Sequence, residues 1–157
     1  MLKIPENKTR KKLRITQCVL FLMLAVFCSF TFIEIPNPDL SGQNFYATVF
    51  DMLGYMGGSF PDTALSESFK SVLPFYFVFI IIPIVGFFFC ALDKERNLKN
   101  IVSIILCLAG VFSILTVVSL NFISYGSLFS LLVYILLSFI TTIAMMARLT
   151  KDAEAKA

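Results

Sequence analysis

Residues 72–92 read VLPFYFVFIIIPIVGFFFCAL, and the assignment of the whole chain turns on them. The stretch contains no Asp, Glu, Lys or Arg, and fourteen positions between Val72 and Phe89 are Val, Leu, Ile or Phe. As a helix rising 1.5 Å per residue it reaches about 30 Å, the thickness of a bilayer's hydrocarbon core. Each such side chain near the bilayer centre favours insertion by about 0.3–0.6 kcal/mol, so the sum is several kcal/mol despite Pro74 and Pro83. Because the run is apolar on every side rather than alternating, a strand of a β-barrel is excluded.

Three further apolar segments extend the pattern outward. The first begins at Ile15 and runs to about Ile33, with the span placed at 15–35. The third covers Ile101–Ile123, and the fourth covers Ser127–Ala147. Composition agrees: 58% of the 157 residues are hydrophobic and 15% are charged, against about 45–50% and 25% in soluble domains. A domain of this size has too little interior to hide so much apolar surface, which makes lipid the solvent. A cleaved leader is the competing reading of the first segment. Its apolar run is longer than the usual 7–15 residues, no A-x-A site follows, and Phe27 before Cys28 spoils a lipoprotein-type site.

Charge sets the expected orientation. Six Lys/Arg lie between Lys3 and Arg14, three between Lys94 and Lys99, and three between Arg148 and Lys156, leaving Lys70 alone among five outer acids. By the positive-inside rule the N-terminus (1–14), the loop 93–100 and the tail 148–157 are cytoplasmic. The expected fold is therefore an all-α integral membrane protein. It is a four-helix transmembrane up-down bundle with spans 15–35, 72–92, 101–123 and 127–147. Short connections at 93–100 and 124–126 make helices two, three and four antiparallel neighbours.

The outer loop 36–71 is the longest connection. Phe45, Val49, Met52, Leu53 and Met56 recur at helical spacing within about 43–56, which predicts an amphipathic interfacial helix ended by Gly57-Gly58. Three uses fit it: a lid on the bundle, a gate over a cavity, or a surface on which a partner docks. Asp62 and Ser66 are candidate N-caps for the entry into the second span.

Small residues mark candidate packing positions within the spans: Gly86 and Cys90, then Ser103, Cys107 and Gly110, then Ser138 and Thr142. Such residues let membrane helices approach closely, either within one chain or between subunits. Pro74 and Pro83 predict kinks in the second span.

No catalytic, cofactor-binding or metal-binding signature is found. His is absent, which removes the commonest general base and transition-metal ligand. The four cysteines lie in apolar runs without a CxxC and read as packing thiols. Asp51, Asp62 and Glu67 read as solvated acids or caps. Intramembrane polar groups are confined to Gln17, Asn121 and hydroxyl residues, which argues against an ion-coupled pump.

By elimination the expected function is non-enzymatic: an accessory or scaffold subunit of a larger membrane complex. A small oligomeric transporter or channel subunit for a neutral or lipidic substrate is the alternative. Expected partners are membrane lipids and other membrane proteins or further copies of the chain, not nucleic acid. A bacterial plasma membrane fits the absence of sorting signals.

Overall fold

The structure is a computed structural model that describes residues 8–36, 44–57, 71–93 and 97–154. Four long helices dominate: α1 (Lys8–Phe27), α3 (Phe77–Leu92), α4 (Leu98–Ser113) and α5 (Tyr125–Glu154). At the end of the bundle away from Lys8 lie strands β1 (Ile33–Pro36) and β2 (Asn44–Ala47) and the short helix α2 (Val49–Gly54).

Each long helix packs on two neighbours, α1 on α3, α3 on α4, α4 on α5, and α5 back on α1. The ring closes around Phe21, Leu24, Tyr76, Phe79, Ile114, Tyr134 and Leu137, all buried. Three helical stretches, Leu73–Leu92, Leu98–Val118 and Tyr125–Ala147, are long and apolar enough to cross a membrane. Helix α1 is different. Its first two turns carry Lys8, Arg10, Lys11, Lys12 and Arg14, so its uncharged part begins only at Ile15.

The all-α expectation needs correction beyond the end of α1. Helix α1 stops at Phe27, well short of residue 35. Beyond it Phe30–Ile33 alternates aromatic and β-branched residues and Ile35 follows, a composition that fits a pleated, half-buried surface better than a helix. Ile33 and Ile35 turn inward and are buried. β1 pairs antiparallel with β2 in the register Ile33 with Ala47 and Ile35 with Phe45. An isolated antiparallel bridge joins Ile33 to Ile123 on the other edge.

The helix expected at 43–56 is likewise divided. Residues 44–47 are strand, and the helix starts only after Thr48. A capping box sets that boundary: Thr48 Oγ1 accepts from the Asp51 N–H at 3.1 Å, while Asp51 Oδ2 accepts from the Thr48 N–H at 2.9 Å. Two backbone donors are satisfied at once, which pins the first turn at Val49. The expected caps at Asp62 and Ser66 lie outside the described residues.

Pro74 does not kink a helix. It sits in a 3-10 turn, Leu73–Tyr76, at the start of the span, where its missing N–H costs no intrahelical bond. Pro83 lies inside α3 and is buried. The α4 span also ends earlier than expected. Its last turn widens to a π-helix at Ile114–Val118, and Ser119 then takes a positive φ of 64°. Leu120–Phe122 form a 3-10 turn, which delivers Ile123 to its bridge with Ile33.

Candidate functional site

Two features of the bundle carry groups that could act. One is a polar cluster in its interior, and the other is a groove on its outside.

The cluster draws one helix after another toward Gln17. This residue lies on the stripe of α1 that faces the bundle, one turn before Phe21, and is fully buried. Its Nε2 donates to Thr141 Oγ1 of α5 at 3.0 Å and to Asn100 Oδ1 of α4 at 3.3 Å. Cys90 Sγ of α3 lies 4.0 Å from Gln17 Oε1 and 3.5 Å from Ser103 Oγ. Asn100 Nδ2 in turn donates to Asn97 Oδ1 at 2.7 Å. All four long helices thus contribute to one network. Buried between the helices, the amide has no water to turn to, so internal pairing is its cheapest state.

Below the cluster the α3–α4 turn is tied by Asp93. Its Oδ2 accepts from the Lys99 N–H at 2.9 Å, and its backbone oxygen accepts from Lys99 Nζ at 2.8 Å. The Lys99 side chain is accordingly buried rather than spread in solvent, as a charged loop residue would be. An ammonium survives burial only with such partners.

The seven positions read as packing residues divide into three sets. Gly86 lies directly under the Phe21 ring, and Gly110 directly under the Tyr134 ring, so a Cβ at either would collide with the aromatic. Cys90, Ser103 and Cys107 are buried between helices. Ser138 is half-buried and Thr142 exposed, with the Thr142 hydroxyl donating to the Ser138 carbonyl at 2.9 Å.

Those last two residues belong to the outer groove. It has a volume of about 300 Å³ and lies between α4 and α5, lined by Cys107, Leu108, Val111, Tyr134, Ser138 and Thr142 among others. Leu108 and Phe139 stand at its rim, 64% and 66% exposed. Every lining residue falls within the Leu98–Val118 and Tyr125–Ala147 stretches, so the groove lies between two helices long and apolar enough to cross a membrane.

Of the five residues read as a candidate docking surface, two are turned into the bundle. Val49 and Met52 are fully buried, Phe45 and Leu53 are half-buried, and Met56 is exposed. The Val49 N–H donates to the Cys28 carbonyl and the Phe32 N–H to the Ala47 carbonyl, which seats hairpin and helix on the end of α1. The apolar spacing is satisfied by the bundle itself, because burying Val49 and Met52 on the protein removes them from solvent as well as a partner would. The Tyr55 and Phe45 rings lie tilted against each other, with centroids 6.1 Å apart. Burial, and then the Asp51 carboxylate, raise its phenol above the ordinary tyrosine value.

Sequence reasoning noted Gln17 as polar without assigning it a role. The usable signal was that it is the sole amide in the first apolar run. Tyr134 and Phe21 carried no such mark, since nothing local distinguishes an aromatic that covers a distant glycine.

Comparison with protein-family models, with curated proteins and with solved structures finds no match to this chain.

Proposed function

We propose that the chain is a four-crossing protein of a cell membrane, with both termini cytoplasmic. In this reading it performs no chemistry of its own and serves as an accessory or scaffold subunit of a larger membrane complex. The observation that carries this reading is the groove between α4 and α5. A helix–helix contact in lipid gains from close approach over small residues, and Cys107, Ser138 and Thr142 supply them at a concave site. A membrane-spanning helix of another subunit is the natural occupant.

The fourth crossing is α1. Its uncharged part, Ile15–Phe27, covers about 20 Å at 1.5 Å per residue, about 10 Å less than a hydrocarbon core. Residues after Phe27 supply the rest without helix. Irregular backbone at that depth is tolerated where protein covers it and its groups are paired. Phe32, Ile33 and Ile35 are buried, and the Thr31 carbonyl accepts from the Gly126 N–H at 2.7 Å. The internal pairing of the Gln17 network supports a structural interior rather than a solute path.

Cysteine labelling in intact cells tests the orientation. The native thiols all lie within the apolar spans, so Tyr46→Cys is expected to react with a membrane-impermeant maleimide from outside. Thr9→Cys is expected to react only after permeabilisation. Labelling of Thr9→Cys in sealed cells overturns the arrangement.

The docking claim is tested by a photo-crosslinking residue at position 138. It is expected to capture a membrane protein in native membranes, whereas the same residue at position 23, on the lipid-facing side of α1, captures none. Equal labelling at both positions, or none at 138 in any native membrane, overturns the subunit reading.

A further inference from the structure

The basic run that precedes the first span is helical and continuous with it. That continuity decides where each cation points. On α1 the residues Gln17, Phe21 and Leu24 are buried, and Arg10 and Arg14 fall on the same bundle-facing stripe, half-buried and engaged with neighbours. The opposite stripe is Ile15, Val19, Leu22 and Val26, all exposed toward lipid. Following that stripe downward by turns of three or four residues reaches Lys12, Lys11 and Lys8, also exposed. Three lysines therefore stand directly beneath the apolar strip, at the level where headgroups begin.

The arrangement is unfavourable on its own. Lys8 and Lys12, and likewise Arg10 and Arg14, are like charges at i,i+4, and Lys8 with Lys11 and Lys11 with Arg14 are like charges at i,i+3. Such pairs destabilise a helix by a few tenths of a kcal/mol each. The first turn also contains no acid to set against the positive end of the helix dipole. Among the described residues the three ammonium groups have no hydrogen-bond or ionic partner on the protein.

We infer that Lys8, Lys11 and Lys12 form a binding surface for the headgroups of anionic lipids in the inner leaflet. An anionic surface supplies the missing counter-charge, attracting juxtamembrane cations at about 1 kcal/mol per residue. The lipid-facing stripe above the lysines takes the acyl chains of the same molecules. Orienting the chain during insertion would need only the number of cations on the inner side. Their placement on the lipid-facing stripe is what a headgroup contact requires. The inference rests on α1 crossing the membrane, and the labelling of Thr9→Cys reports on that point separately from any lipid preference.

The test uses the full chain in a neutral detergent, titrated with phosphatidylglycerol or phosphatidylcholine, with bound lipid counted by native mass spectrometry. Phosphatidylglycerol is expected to bind roughly 100-fold tighter at about 1 kcal/mol per cation, and raising salt from about 0.05 to 0.5 M should remove most of the difference. At about 1 kcal/mol per cation, the K8Q/K11Q/K12Q variant loses roughly 100-fold in phosphatidylglycerol affinity and keeps its phosphatidylcholine affinity. The K8R/K11R/K12R variant, which keeps the charge, retains the preference. Equal binding of the two lipids overturns the inference, as does an unchanged triple-glutamine variant. Competition by millimolar inorganic phosphate also overturns it, because it would indicate a point anion site. If the glutamine variant does not fold, the salt titration of the wild-type chain decides, and a preference unaffected by salt overturns the proposal.

Discussion

Replacing Gly86 with leucine is expected to destabilise the protein by about 3 kcal/mol, the upper part of the range for an overfilled core. For a chain of this length that lowers the thermal midpoint by roughly 6–12 °C in mild detergent. Gly86 is the point at which α3 meets α1, and the ring of Phe21 occupies the space a side chain would need. Phe21 is itself fully buried, so it has nowhere to rotate, and the two helices must separate. The claim is checked by a paired substitution. Phe21→Ala removes the ring and should cost several kcal/mol alone, yet combined with Gly86→Leu it should cost less than the two losses added. Coupled neighbours typically depart from additivity by about 0.5–3 kcal/mol. Gly54→Ala is the control, since nothing lies within 4 Å of the position its Cβ would take. It is expected to stay within about 0.5 kcal/mol of wild type. Strict additivity of Gly86→Leu and Phe21→Ala would show that the contact does not hold α1 to α3.

The second large effect is expected at Gln17. Leucine has a similar volume, so Gln17→Leu removes the amide without opening a cavity. It leaves Thr141 Oγ1 and Asn100 Oδ1 without the donor they share. A buried group deprived of its partner costs about 1–3 kcal/mol, and interhelical hydrogen bonds in membranes average about 0.6 kcal/mol. A total loss of roughly 2 kcal/mol is therefore expected in a thermal or denaturant titration. The companion substitution Thr141→Val should cost little once Gln17 is already leucine, because the orphaned hydroxyl is then gone. A neutral Gln17→Leu would mean that the network fills space without holding the helices in register. Thr16→Ala, one position away, should have almost no effect, since its hydroxyl bonds only to the Lys12 carbonyl of its own helix at 3.1 Å.

Both predictions concern contacts between residues far apart in the chain, and this marks how far the sequence could be read. The long uncharged runs around Val72–Leu92, Ile101–Ile123 and Ser127–Ala147 needed no tertiary information. A helix in lipid satisfies its own backbone, so length and hydrophobicity alone select it. The small residues Gly86 and Gly110 stood out for the same reason, since a hydrogen in place of a side chain is informative wherever helices must approach. The outer end was harder to read. Phe45, Val49, Met52, Leu53 and Met56 fit a helical period, but residues 44–47 fit a two-residue period equally well. Short apolar stretches carry both signals. The competing strand became favourable only because residues 33–36 were available to pair with it.

What the amino-acid sequence determined by itself is which segments prefer lipid and which ends carry the cations, because solvation is a property of each segment alone. The tertiary structure decided that residues 33–36 pair with 44–47, which helix Gln17 ties to which, and where the surface is left concave. Those outcomes depend on which partners come within a few ångströms of each other, and hydrogen bonding and close packing act only at that range. Local composition cannot encode them.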